Sequence, residues 1–381
     1  MGIEHIGGNI RRLMKIRNLT IPKLASKSEM GTAAISNLLN GKAEPRSSTL
    51  IKLANALDVR FEALLVDTPH LESIRFRTAK TLSGREKAER DQIRIETATW
   101  LANYRYLEQD LGQDLPYMLE DIIGNNPEIA AREVRAKLNI PLTDPIHDIT
   151  ELIESAGIKL NIRPFGFKKT FGLSVGRSDG GPAIVVNAES GISIERQLFT
   201  IAHELGHLIL HKTSYKALED IEDENEEKEA DHFAGCLLVP NEALQKEWAG
   251  SKGLAFVDRV LRVKKVFKVS YMTILNRLYQ QGYSSSFKDL LIGFRMDYKA
   301  KYGHDLKGHF EPSTTSELES LPVAPEDPQN LDVSDLMEER YSRLVRDAYE
   351  QELISLGRAG EMLNLSIYQM RTLVRSWQVP A

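Results

Sequence analysis

Phe199-Thr-Ile-Ala-His203-Glu204-Leu-Gly-His207-Leu-Ile-Leu210 is the stretch on which the reading of this 381-residue chain turns. Leu198, Ile201, Leu205 and Leu208 recur at helical spacing and predict a helix with one apolar stripe. Residues four apart share a helix face, so His203 and His207 can offer two imidazole nitrogens to one metal ion, with zinc expected. Glu204 follows at the edge of that face, where its carboxylate can take the proton of an attacking water as general base. The same five-residue pattern occurs by chance in unrelated chains as two half-buried histidines. The apolar helical setting favours the metal reading.

A catalytic zinc site needs a third protein ligand and an open position. Downstream, Glu226-Glu227-Lys-Glu229-Ala230-Asp231-His-Phe-Ala-Gly-Cys-Leu-Leu-Val-Pro240 predicts a second helix, with Phe233, Leu237 and Leu238 inward. Glu227 would complete a two-histidine, one-glutamate set, with Glu226 and Glu229 as alternatives. Asp231, one turn further, could accept the second N–H of a ligand histidine. Glu219, Glu222, Asp223 and Glu224 read instead as a solvated acidic run. His211 would allow a three-histidine set, but three successive turns of a straight helix point along a line, so it reads as supporting or incidental. Cys236 stands nine residues from Glu227, on the opposite side of its helix, and reads as a buried structural thiol. Tyr215, His232 and Tyr271 are equal candidates for the donor that stabilises an oxyanion.

Outward from the motif, Ile158–Ile162, Phe171–Val175 and Ala183–Asn187 are short β-rich runs separated by Gly and Pro, and a small antiparallel sheet is expected. Ile129 to Leu138 and Ile146 to Ala156 read as short helices, the second ended by Gly157. Ser83 to about Gln109 reads as a long linking helix, with Ile93, Trp100, Leu101, Tyr104 and Leu107 on its apolar face. The expected fold is α+β: an N-terminal all-α helix-turn-helix domain (1–67), a helical linker (68–125) and a zincin-like peptidase domain with a small sheet and the HExxH helix (126–310). A flexible Pro-rich linker (311–335) and a C-terminal helical segment (336–381) follow. Within that segment Ile354 to Ser366 is similar to a small helix-turn-helix, a docking tail being the other reading.

Composition narrows the function classes. Hydrophobic residues make up 42% and charged residues 27%, with no long apolar run, so a membrane span is not expected. The start of the chain has no apolar core followed by a small-residue cleavage site, and a single cysteine excludes a disulfide framework. Both fit a cytoplasmic location. Net charge is −5, so contact with nucleic acid must come from a local patch.

Residues 127–283 resemble the ImmA/IrrE family of zinc metallopeptidases. The resemblance rests on a Gly-Ile strand start, the strand Ile184-Val-Val-Asn187, the FTxAHELGH helix and the ExxADxFAxxLLxP segment, in that order. It implies Glu227 as third ligand, zinc as cofactor and a DNA-binding repressor protein as substrate, whose cleavage relieves repression of mobile-element, defence or stress genes. Thr20 to Lys42, with the helix from Thr49 to Leu57, is similar to the phage-repressor (XRE-type) helix-turn-helix. That likeness implies duplex DNA as partner, and a homodimer is compatible with it. Thr32, Ala33, Ser36 and Asn37 are the early positions of the recognition helix, and Lys42 and Arg46 are expected as DNA contacts that could neutralise phosphates. Arg11, Arg12, Lys15, Arg17, Lys23 and Lys27 extend the basic face. No long polar side chain stands ready to read a base edge, so modest sequence preference is expected. Competing readings are a regulator whose peptidase fold serves as a sensor or interaction domain, and one half of a toxin–antitoxin-like pair. Glu204 favours the enzyme, because a structural metal site needs no general base.

Overall fold

The computed structural model describes residues 3–16, 19–57, 64–65, 71, 73–78, 84–124, 126–215, 223–303, 305–306 and 339–377. The chain divides into two compact units, 1–71 with 79–103, and 72–78 with 104–381. The first contains α1 (Ile3–Ile16), α2 (Ile21–Ser28), α3 (Thr32–Leu39) and α4 (Ser47–Ala56). Pro22 sits in the first turn of α2, where its missing N–H costs nothing, and Thr20 takes the N-cap position without a side-chain cap bond. Glu29 turns the chain in the left-handed region, and Gly31 opens α3. Ile10, Leu24, Ile35, Leu53 and Leu57 are fully buried and close these helices around one core. The expected break at 67–70 lies outside the described residues.

The linker expected to be wholly helical contains a strand. β1 (Ile74–Thr78) precedes α5 (Gly84–Leu111), which belongs to the first unit up to Asn103 and to the second from Tyr104. Ile74 and Phe76 are buried and alternate with arginines. Two apolar residues are too few to stand out in a sequence otherwise rich in helix formers.

In the second unit, α6 (Pro127–Lys137) and α7 (Ile149–Ser155) are capped by Asn126 and Asp148, whose side chains accept two backbone N–H groups each. β2 (Lys159–Arg163), β3 (Thr170–Val175) and β4 (Ala183–Asn187) complete a four-stranded sheet in the order β1-β3-β4-β2. The sheet is mixed, not antiparallel: β3 runs antiparallel to β1 and β4, but β2 runs parallel to β4. All five residues of β4 are buried, as a central strand covered on both faces requires. Its parallel neighbour needs a crossover, and the 19 residues between β2 and β4, β3 included, supply it.

α8 (Ile194–Leu210) packs under this sheet, and α9 (Glu224–Leu238) packs against α8 and α6. α10 (Asn241–Gly250), α11 (Phe256–Phe267), α12 (Tyr271–Gln280) and α13 (Phe287–Tyr302) extend the same core. α8 is buried nearly all round, with Ile201, Ala202 and Leu205 fully enclosed. Each large apolar side chain buried this way contributes roughly 1.5–3 kcal/mol, so the helix is held rigidly. Among the described residues no helix is long and apolar enough to cross a membrane. The linker expected at 311–335 lies outside the described residues.

The C-terminal segment folds as α14 (Arg340–Glu350), α15 (Leu356–Met362) and α16 (Ile367–Trp377). α15 and α16 pack on each other across a short turn in which Asn364 is left-handed. α14 is tied into the second unit through Arg340, which donates to Glu108 (2.5 Å), to the Tyr104 hydroxyl (3.1 Å) and to the Gln113 carbonyl (2.6 Å). Glu154 accepts the Arg340 main-chain N–H at the start of the helix. Arg340→Ala strips the buried Glu108 of one counter-charge while Lys159, 3.1 Å away, remains. The expected loss is about 3 kcal/mol, at the low end for a broken buried pair, read from chemical unfolding.

Candidate metal centre

α8 and α9 cross where Gly206 faces Phe233 and Ala230. A Cβ on Gly206 would lie 3.0 Å from Phe233 Cδ1 and 3.3 Å from Ala230 Cα, so any side chain there would make its neighbours on α9 give by a few tenths of an ångström. The crossing carries Glu227, in the first turn of α9, to the two histidines of α8. Its Oε2 is 3.2 Å from His203 Nε2, its Oε1 is 3.2 Å from His207 Nε2, and the two Nε2 atoms are 3.0 Å apart. Glu224, Glu226 and Glu227 all stand in that first turn, where carboxylates complement the helix dipole, and Asp223 caps it through Asn225 and Glu226 N–H. The run read as merely solvated acid is therefore partly a helix start.

Each histidine is fixed from behind. His203 Nδ1 donates to Asp231 Oδ1 at 2.7 Å, which leaves Nε2 as the lone-pair nitrogen. His207 Nδ1 meets His211 Nδ1 at 2.9 Å, and His211 Nε2 meets Glu229 Oε2 at 3.0 Å. One tautomer satisfies that row: His207 donates to His211, and His211 donates to Glu229. His211 thus points away from the convergence and supports His207. Burial pushes the His207 pKa down to about 3. Two neutral imidazoles and one anion converging within 4.8 Å form a donor set suited to a divalent cation.

Glu204 is fully buried beside this set in sequence, and its Oε2 accepts from Ser174 Oγ at 2.6 Å. Ser174 in turn accepts from the Tyr215 hydroxyl at 3.0 Å. β3 runs close to α8 because Gly172 has no side chain: a Cβ there would come within 2.5 Å of Thr200 Cγ2 and 3.4 Å of Glu204 Oε1. Of the three candidate oxyanion donors, Tyr215 alone is tied to Glu204. Tyr271 stacks on Phe294 in the core, and His232 faces Glu128 and Cys236 on the other flank of α9. That second group also draws within 4.8 Å. Burial raises the Cys236 thiol to about 11, and Glu128 Oε1 accepts from Asn241, so it reads as packing.

Ser174 and Arg75 escaped the sequence reading, and Glu229, expected there as an alternative ligand, instead accepts from His211. Arg75 of β1 pairs with Glu226 and lies 3.2 Å from Glu227 Oε1. No motif marks Ser174 or Arg75, because the sheet alone brings them in. In the first unit, Thr32, Ala33 and Asn37 are exposed on α3 and Ser36 is half-buried, while Lys42 and Arg46 are exposed on either side of the turn into α4.

The class defined by this geometry is a helix-turn-helix domain fused to a domain bearing a zincin-like peptidase site. Residues 153–279 match the IrrE N-terminal-like domain of the M78 peptidases, and residues 10–64 match the helix-turn-helix family. The chain is 36% identical over 73 residues to the HTH-type transcriptional repressor RghR of Bacillus subtilis (strain 168), across 19% of this chain and 54% of that protein. It is 37% identical over 68 residues to the uncharacterized HTH-type transcriptional regulator RghRB of the same organism, across 18% and 49%. The chain thus spans about half the length of these curated relatives.

Loss of the carboxylate behind His203 frees its ring to rotate and change tautomer. Asp231→Ala should therefore weaken zinc binding roughly 10–100-fold with the fold intact, measured by competition with a chelating dye.

Proposed function

We propose that the chain is a cytoplasmic, zinc-dependent endopeptidase acting as a transcriptional regulator, with a DNA-binding repressor protein as its substrate. Cleavage would relieve repression of mobile-element, defence or stress genes. The observation that carries the reading is the convergence of His203, His207 and Glu227 on one point, with Glu204 buried and oriented from β3. Lewis acidity at that point is what bound zinc supplies. The chain's own residues do the rest. Glu204 takes the proton of the attacking water and returns it to the leaving amine, Ser174 fixes the rotamer of Glu204, and Tyr215 holds Ser174. The buried site excludes bulk water from the proton transfer.

Glu204→Gln keeps shape and the Ser174 contact but cannot accept a proton. Its cleavage of repressors from the same genome should fall by roughly 10²–10⁴ while zinc content, read by elemental analysis, stays at the wild-type level. Retained cleavage would remove Glu204 from the role.

The first unit supplies localisation on DNA, with Thr32, Ala33, Ser36 and Asn37 at the groove and Lys42 and Arg46 on phosphates, and two copies would bind paired half-sites. Duplex affinity should fall steeply with salt. Replacing Lys42 and Arg46 together by Ala should lower the slope of log affinity against log salt by about 2 in gel-shift titrations.

A further inference from the structure

β1 belongs to the sheet without belonging to the continuous stretch of chain that builds the rest of it. β3, β4 and β2 come from residues 159–187, whereas β1 is fed in from the segment just after the DNA-binding helices. It lies antiparallel on β3, pairing Ile74 with Val175, Arg75 with Ser174 and Phe76 with Leu173. Paired residues project to the same face, so Arg75 stands on the face of Ser174, whose hydroxyl holds Glu204. From there the guanidinium reaches both Glu226 and the ligand Glu227. Ser73 closes the upstream end, donating its N–H to Asp179 and accepting from Gly176 N–H at 2.8 Å.

An unpaired strand edge is a template for another extended chain, and side-chain pockets along it give selectivity. With β1 withdrawn, β3 would present such an edge directly beside the proposed general base. Glu226 would offer a carboxylate to whatever side chain takes the place of Arg75. The hydrogen bond that it accepts from Ser214 Oγ at 2.6 Å holds it in place for that role.

We propose that residues 74–78 occupy the β3 edge in cis and keep the site latent, Arg75 standing in for a basic side chain of an extended segment that would otherwise meet Glu226. This rests on the peptidase reading above. Substrate must displace the internal strand, so the apparent affinity of any peptide is reduced by the fraction of molecules with β1 released.

The test uses the zinc-loaded full chain carrying Glu204→Gln and a fluorescein-labelled peptide of sequence ESIRFRTAK, residues 72–80 of the chain itself. Arg75→Pro removes a main-chain donor and the guanidinium from β1. Anisotropy should show this variant binding the peptide at least roughly tenfold more tightly than the parent with β1 intact. Adding Glu226→Gln, or replacing the peptide's first arginine by glutamate, should abolish the gain. Hydrogen exchange at 172–175 should rise in Arg75→Pro and fall again when peptide is added. Should Arg75→Pro fail to melt cooperatively, Arg75→Glu, which repels Glu226 and Glu227, replaces it. Equal binding to open and closed proteins, or no binding to a protein whose 172–175 amides exchange freely, overturns the proposal. Peptide capture by a chain that cleaves nothing in its Glu204 form leaves the strand site standing and removes the peptidase reading. Repressor cleavage by the wild-type chain with 172–175 protected throughout turnover does the reverse.

Discussion

The close crossing of α8 and α9 at Gly206 is the constraint on which the rest of the second unit depends. The two helices meet backbone to side chain, with no Cβ between them. A larger residue there would make Phe233 or the α9 backbone give by a few tenths of an ångström, and Glu227 stands in the first turn of that same helix. Phe233, which packs against Gly206, is fully buried and anchors the crossing in the main core. A close-packed interior is poorly compressible, so the geometry of the donor set inherits the stiffness of the core.

Against that stiffness stands the cost of burying polar groups. His203, Glu204 and His207 are at most 1% exposed, and each has a partner that offsets lost hydration. Asp231, His211 with Glu229, and Ser174 with Tyr215 fill that need for His203, His207 and Glu204 respectively. These partners come from α9, from the end of α8 and from β3, so the site is assembled only when the whole α8–α9–sheet layer is in place. Asn187 serves the neighbouring loop in the same way. It is fully buried, donates to the Phe167 and Thr170 carbonyls, and accepts from Phe165 and Glu189 N–H.

The α8 motif was legible because its chemistry is local. His203, Glu204 and His207 fall on one helix, and helical periodicity places them without knowledge of anything else. Glu227 was legible as one of three neighbouring glutamates, and the helix phase that singles it out is fixed by Gly206. The recognition helix, the short helices α6 and α7 and the three strands of residues 159–187 were readable from local pattern as well. β1 was not, because Ile74 and Phe76 make a two-residue alternation inside a helix-rich segment. The parallel placement of β2 was not either, since strand order is decided by which faces are covered and not by any one strand's sequence. Arg75 and Ser174 lie 152 and 53 positions from Glu227 and carry no spacing signal.

Asp231 and Glu229, at the outer ends of the two histidine rows, have side chains 53% and 54% exposed. Each imidazole is therefore sealed from water yet linked to it by one or two hydrogen bonds. Buried titratable groups ordinarily exchange protons with solvent only when the structure opens around them. Here two rows of hydrogen-bonding groups, Asp231–His203 and Glu229–His211–His207, run from exposed carboxylates to the buried imidazoles. They are like leads laid through an insulating wall, with each buried ring tied to the protein surface by its own row.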